Sequence, residues 1–300
     1  MDLDSLFEAS GCRGYLQVQS LDGAHRVTLR EREPVVTASV FKVLVALAIE
    51  NQFAAGLLAP SERCHLTAPD LTPGPTGMSL YTHDVDIALG DLVVAMMSIS
   101  DNVATDALMR RIGIKAVDDC ANALGLVDTV VVADLATIVN SVGVDAGFAD
   151  YETLTTWWAT NPTPRELDAV AIRIRQSRAL AAATTNRTTA RDMARLLQLI
   201  WTDEAGPPAA CARVRHHMAR QLTKNRLAAG FPPGVTVSAK SGGLMGAVRN
   251  EVGVVVFPDG ATYIASVFTE SIGTQNRESE INTAIGGAAA AAIDSIREVP

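Results

Sequence analysis

The chain has 300 residues and a formal charge of −8, from 25 Lys+Arg against 33 Asp+Glu. That balance repels phosphate and argues against nucleic acid or an anionic membrane as partner. A content of 48% hydrophobic and 19% charged residues excludes a disordered chain and supports a sizeable core.

In chain order, residues 3–9 read as a short helix, and Tyr15, Leu16, Gln17, Val18 and Gln19 alternate like a half-buried strand. Asp22-Gly23 then supplies a hairpin turn into a second strand at 25–29. A long helical region follows over about 40–227, broken at Gly56, at 69–75, at Gly113 and at Gly125. Within it, 91–112 is apolar at helical spacing on both sides of Ser100, and 166–183 also reads as helix. Strands return at 235–239, 251–257 and 262–268, the last two joined by Pro258-Asp259-Gly260. Residues 277–297 close the chain as an Ala-rich helix. The expectation is an α/β (α+β) fold: an antiparallel sheet built from both termini, flanked by terminal helices, with an all-helical lobe between them. The sheet lobe takes about 1–38 and 228–300 and the helical lobe about 39–227, with a site expected in the cleft.

No run approaches the roughly 18 apolar residues of a membrane span, because 43–49 stops at Glu50 and 87–99 carries Asp91. The first residues are acidic where a secretory signal is basic. The chain as given therefore reads as cytoplasmic, or as periplasmic or secreted if an N-terminal segment is missing. Cys12, Cys64, Cys120 and Cys211 form no Cys-x-x-Cys and read as free thiols. Cys211, His216 and His217 read as an exposed helix end, so neither metal nor cofactor is expected, and the chain is expected to be a monomer. Just four of the 25 basic residues are Lys: Lys42, Lys115, Lys224 and Lys240. A buried Lys, unlike Arg, can shed its proton at working pH.

Three short motifs carry chemistry. Ser39-Val40-Phe41-Lys42 stands directly before an apolar helix, where positions i and i+3 share a face. Ser39 at a helix N-terminus aims free N–H groups at what it attacks, and a buried Lys42 can serve as the base that activates it. Ser100-Asp101-Asn102 sits between two apolar helical segments, where Ser100 or Asp101 would also suit a helix N-cap. Lys240-Ser241-Gly242-Gly243 follows a strand, where each residue is also ordinary for a turn.

Each motif is weak alone. Together and in this order they are Ser-x-x-Lys, Ser-Asp-Asn and Lys-(Ser/Thr)-Gly, and the sequence resembles class A β-lactamases and related penicillin-binding serine hydrolases. The resemblance runs from about residue 15 to 268, with further matches at 188–200 and 249–253. It implies one β-lactamase/transpeptidase-like domain over 1–300, in a bacterial enzyme that degrades β-lactams and confers antibiotic resistance. It implies that Ser39 is acylated, that Lys42 is its base, and that Ser100 passes a proton to the leaving nitrogen. Lys240 would tune the potential at Ser100, and Asn102 would hold the substrate's amide side chain. The N–H groups of Ser39 and Gly243 would form the oxyanion hole, while Ser241 and Arg249 would bind a substrate carboxylate. The partner implied is a small molecule carrying that carboxylate.

One element of the family pattern is missing. Class A enzymes carry a Glu-x-x-Leu-Asn loop whose Glu activates the deacylating water, and this chain has none. Between Asn102 and Thr188 it holds just Glu152 and Glu166, neither followed by Leu-Asn, and Arg187 stands where the family commonly has an Asp. Three readings remain open: a serine hydrolase acting on β-lactams or related amides and esters, an acyl-enzyme former of penicillin-binding, esterase or transacylase type with little turnover, and a non-catalytic sensor of β-lactams or peptides.

Overall fold

The N-terminal alternation is realised as a hairpin. Asp2 caps α1 (Leu3–Ala9), its carboxylate accepting from the Asp4 N–H at 3.1 Å. Then β1 (Cys12–Ser20) pairs antiparallel with β2 (Arg26–Leu29). In this computed structural model, which describes residues 2–298, the chain continues through β3 (Val35–Val36) and a 3-10 turn (Ala38–Phe41) into α2 (Lys42–Ala54). Next come β4 (Arg63–Leu66), β5 (Val85–Ala88), α3 (Leu89–Ser98), α4 (Asn102–Ile112), α5 (Ile114–Ala123) and α6 (Leu135–Asp145). They are followed by α7 (Tyr151–Trp158), α8 (Pro164–Arg175), β6 (Arg187–Thr188), α9 (Ala190–Trp201) and α10 (Pro208–Ala219). The chain ends with β7 (Thr236–Leu244), β8 (Val248–Val256), β9 (Thr262–Ser271) and α11 (Glu278–Arg297). The expected domain limits at Met1 and Pro300 lie outside the described residues.

The antiparallel sheet is ordered β2-β1-β9-β8-β7, so strands from the two ends of the chain meet at β1 and β9. Its outer face carries Leu16, Val18, Ala265 and Val267 against Ile281, Ile285, Ala288 and Ile293 of α11. Its inner face carries Val252, Val254, Ile264 and Phe268 against α2 and α9. Burial of both faces explains the near-continuous apolar run of β8 and β9. At the centre, α2 is buried all round from Lys42 to Glu50, as expected of a helix with no solvent face.

Several expected boundaries move, each for a local reason. β7 continues to Leu244 rather than ending at 239, and β8 starts at Val248, because Lys240, Ser241, Arg249, Asn250 and Glu251 are polar yet buried and partnered. The lobe expected to be all-helical also contains the β4–β5 hairpin and β6, which pairs with β3 so that Val35 lies opposite Thr188. Helix over 166–183 gives way to α8 ending at Arg175, after which Arg178 binds Asp145 through its backbone N–H at 2.8 Å and its guanidinium at 2.9 Å. Cys211 and His217 of α10 are buried rather than on an exposed helix end, with His217 Nε2 3.0 Å from Glu50 Oε1. Among the described residues no helix is long and apolar enough to cross a membrane, and no group of three or more His, Cys, Asp and Glu could hold a metal.

Two adjacent glycines of α11 test the packing. A Cβ on Gly286 would lie 2.5 Å from the Arg226 carbonyl oxygen, whereas one on Gly287 would meet nothing within 4 Å. Gly286→Ala is therefore expected to destabilise by about 1–3 kcal/mol in urea unfolding, through overpacking. Gly287→Ala should stabilise by about 0.5–1 kcal/mol, the ordinary gain in a helix interior. Equal shifts in the two variants would contradict the close approach.

Candidate active site

Ser39 lies in the 3-10 turn that feeds α2, and the residue before it, Ala38, is held in the left-handed region at φ 44°. Strain of this kind persists where the surroundings over-determine the backbone. Lys42, three residues on, is the first residue of α2 and is fully buried. Its amine lies among four oxygens, Ser100 O at 2.7 Å, Asn102 Oδ1 at 2.9 Å, Ser100 Oγ at 3.2 Å and Asp101 O at 3.5 Å, of which an ammonium can donate to three at once. Burial lowers its pKa to about 7, even though Asp106 and Asp101 pull the other way. Near neutral pH a large share of Lys42 is thus free amine, able to accept a proton.

The Ser100–Asn102 turn joins α3 to α4, and Asp101 holds it. Buried Asp101 caps α4, Oδ1 accepting from the Ala104 N–H at 2.9 Å, while Oδ2 accepts from the Met78 N–H at 2.7 Å. Thr105 Oγ1 donates to Asp101 O at 2.7 Å. The N-cap reading and the functional reading therefore describe the same turn. Ser100 is held left-handed at φ 61°, and its hydroxyl lies 3.2 Å from Lys42 Nζ and 3.1 Å from Lys240 Nζ. Asn102 turns Nδ2 to Pro73 O at 2.8 Å.

The third motif lies within edge strand β7. Lys240 is fully buried and donates to Ser100 Oγ and to Ser241 O, the latter at 2.8 Å. Burial pushes its pKa well below the ordinary lysine value, and the charges of Lys42 and Arg226 push the same way against Glu251. A Cβ on Gly242 would lie 3.0 Å from Thr37 O and 3.1 Å from Ser39 N, so this strand can lie against the Ser39 turn because residue 242 has no side chain. Asn250 of β8 ties the same turn down, its Nδ2 donating to Val36 O at 2.9 Å and Thr37 O at 3.2 Å.

These elements enclose a cavity of about 250 Å³. Ser39, Ser100, Asn102, Ser241 and Gly243 all line it, and Leu135, Ile138 and Val139 of α6 form an apolar wall. Arg249, expected to bind a carboxylate here, is absent from the lining. Its guanidinium turns instead to α11, donating to Asn282 Oδ1 at 2.9 Å and pairing with Glu278. The lining cation is Arg226, which donates from Nη1 to Gly242 O at 2.7 Å and Asn250 O at 2.6 Å and from Nε to Asn282 Oδ1 at 3.1 Å. Burial lowers the Arg226 pKa to about 10, which leaves it charged at neutral pH. Thr223 joins Arg226 and Ser241 on that wall. Arg226 and Thr223 belong to no motif and no periodic segment, so no local signal marks them.

Neither candidate deacylation base lines the cavity. Glu152 is exposed in the first turn of α7, and Glu166 closes a capping box, accepting from Thr163 N at 2.8 Å and Thr163 Oγ1 at 2.6 Å. No Asp or Glu stands among the lining residues. Asp106 accepts from Thr72 Oγ1 at 2.7 Å and from the N–H groups of Leu135 and Ala136 at 2.8 and 2.9 Å. It thereby fixes the start of the apolar wall.

A family model described as the Beta-lactamase enzyme family matches residues 1–296. A Streptomyces cacaoi protein named beta-lactamase regulatory protein BlaB is 29% identical over 281 residues, covering 89% of this chain and 87% of that protein. The structure of a beta-lactamase from Sphaerobacter thermophilus DSM 20745 superposes with a TM-score of 0.76 at 23% identity, covering 99% of this chain and 96% of that one. The structure of PBP-A gives a TM-score of 0.75 at 20% identity, covering 98% and 96%. Both likenesses are likenesses of fold.

The Lys42 environment is directly testable. Titration of its side chain, followed by ¹³C NMR, should show a midpoint near 7 instead of the ordinary 10.5. Asp106→Asn removes a carboxylate that favours the charged amine, so the midpoint should fall further. A rise in that variant would contradict the assignment.

Proposed function

The chain belongs to the β-lactamase enzyme family, and from that premise we propose that it forms a covalent acyl-enzyme on Ser39 with a carboxylate-bearing amide or ester and hydrolyses it slowly. The observation that carries the reading is a cavity lined by Ser39 and Ser100 with no carboxylate on its walls, while two buried lysines outside the lining reach Ser100 Oγ by hydrogen bonds. Neutral Lys42 takes the Ser39 proton as Oγ attacks the carbonyl carbon, and the oxyanion sits against the N–H groups of Ser39 and Gly243. The proton then passes from Lys42 to Ser100 Oγ and on to the leaving nitrogen or oxygen as its bond to carbon breaks. Asn102 holds the substrate's amide, and Arg226 with Ser241 and Thr223 receives the carboxylate, the guanidinium offering Nη2 because Nε and Nη1 already bond Asn282, Gly242 and Asn250.

Deacylation needs a second proton acceptor beside the attacking water, and the wall of Leu135, Ile138 and Val139 offers none. A long-lived adduct also suits a role in regulation, the role named for the Streptomyces relative. A second reading, fast β-lactam hydrolysis, is favoured by one observation: with a pKa of about 7, Lys42 could itself activate water.

Intact mass after incubation with a penicillin should show one added ligand that persists without rapid turnover of a chromogenic cephalosporin. Ser39→Ala and Lys42→Arg should each abolish the adduct, since Arg keeps the charge but cannot act as a base. Rapid colour change without an adduct would favour the hydrolase, and an adduct surviving in Ser39→Ala would sink the assignment. The acylation rate should rise with pH through about 7 as Lys42 loses its proton.

Arg226→Gln should slow acylation by carboxylate-bearing substrates about 10- to 100-fold, the scale of one lost charge-assisted hydrogen bond. Acylation by an uncharged ester should change far less. Equal losses for both substrates would place the carboxylate elsewhere.

A further inference from the structure

At the sheet edge opposite β7, the inner face changes character. Gln17 and Gln19 of β1 point toward the helical lobe, where an apolar pair would be ordinary, and are 6% and 5% exposed. In the hairpin register they stand beside Thr28 and Arg26 of β2. Facing this polar floor, α9 presents Arg191, Arg195 and Gln198, spaced i, i+4 and i+7 on one face, while its other face is buried in the core. Between floor and helix lies an open cleft of about 580 Å³, within the usual range of small-molecule sites and sharing no lining residue with the catalytic cavity.

Its charge is unusual for an acidic chain. Four arginines line it (Arg26, Arg32, Arg191 and Arg195) against two acids, Asp22 and Glu31. The acids are engaged locally. Asp22 accepts from Ser20 Oγ and the Ala24 N–H in its own hairpin turn, and Glu31 pairs with Arg32 at 3.4 Å. Among the described residues, Arg26, Arg191 and Arg195 have no carboxylate partner. Glutamine side chains cross-link the floor to the helix, Gln19 Nε2 donating to Gln198 Oε1 at 3.4 Å and Gln198 Nε2 to Leu21 O at 2.9 Å, while Gln17 Nε2 donates to Gln19 Oε1 at 2.6 Å along the floor.

We propose that this cleft between β1–β2 and α9 is a binding site for a small non-aromatic polyanion. Guanidinium groups without a carboxylate partner on facing walls, Arg26 on β2 and Arg191 on α9, suit a ligand with at least two negative groups, and Arg195 adds charge while its Nε donates to Leu124 O at 3.1 Å. The glutamine carboxamides supply donors and acceptors for hydroxyl groups between them. No Phe, Tyr, Trp or His lines the cleft, so it offers no aromatic stacking surface. Phosphoryl and polycarboxylate ligands share this chemistry, and the test separates them.

Titration of the full chain with inorganic pyrophosphate and, separately, citrate, each against chloride at matched ionic strength, should give saturable binding for at least one. Pyrophosphate alone assigns phosphoryl ligands, and citrate alone assigns polycarboxylates. The side-chain amide NMR signals of Gln17, Gln19 and Gln198 should shift during that titration, a readout that needs no variant. R191Q/R195Q should weaken binding at least about tenfold without changing acylation of Ser39 in the free protein. Each single change should weaken it in the same direction if the double variant is poorly folded. Arg13→Gln, which removes an arginine paired with Glu33 outside the cleft, should leave binding intact. Absence of saturable binding by both probes, unmoved glutamine amides, or equal loss in Arg13→Gln would overturn the proposal.

Discussion

One hydroxyl shared between two buried amines organises this protein. Ser100 Oγ stands within hydrogen-bond reach of both Lys42 and Lys240, and each lysine is fully enclosed. Taking an ammonium out of water costs several kcal/mol even after relaxation, so two of them need counter-charge or must lose protons. The fold does both. Asp101 and Asp106 lie on the Lys42 side and Glu251 on the Lys240 side, and each carboxylate is pinned by buried hydrogen bonds. The remaining imbalance appears as amines that bind protons weakly. Helix α2, the α3–α4 turn and strand β7 meet here because each contributes one member of this contact.

Much of this was legible in the sequence, and the part that was not has a physical cause. The three motifs could be read because each is short and local, and each sends residues to one cavity, Ser39 from the first, Ser100 and Asn102 from the second and Ser241 to Gly243 from the third. The boundaries of β7 and β8 could not, because Lys240, Arg249 and Glu251 look like surface residues and are buried through partners distant in the chain. Arg249 and Arg226 show the same limit. Both guanidinium groups reach Asn282 Oδ1, and which of them faces the cavity depends on α11, a helix whose position no local spacing encodes.

The apolar side of the cavity is as built as the polar side. Asp106 receives the first two N–H groups of α6 and Thr72 at once, so the segment bearing Leu135 and Ile138 is clamped rather than loosely draped. The chemistry this permits is asymmetric, with proton acceptors gathered on the Ser39 side and hydrocarbon on the other.

The β1–β9 pairing, in which Cys12 lies opposite Ser271, also sets an order of events. During synthesis the N-terminal hairpin emerges first and has no sheet to join until the last strand has left the ribosome. Closing a loop of that length carries an entropic cost that grows only slowly with length, but the wait leaves an unpaired strand edge open to other chains. Lys240 arrives in the same late stretch of chain. Ser39, Lys42 and Ser100 are thus made early, and the shared hydroxyl gains its second amine last.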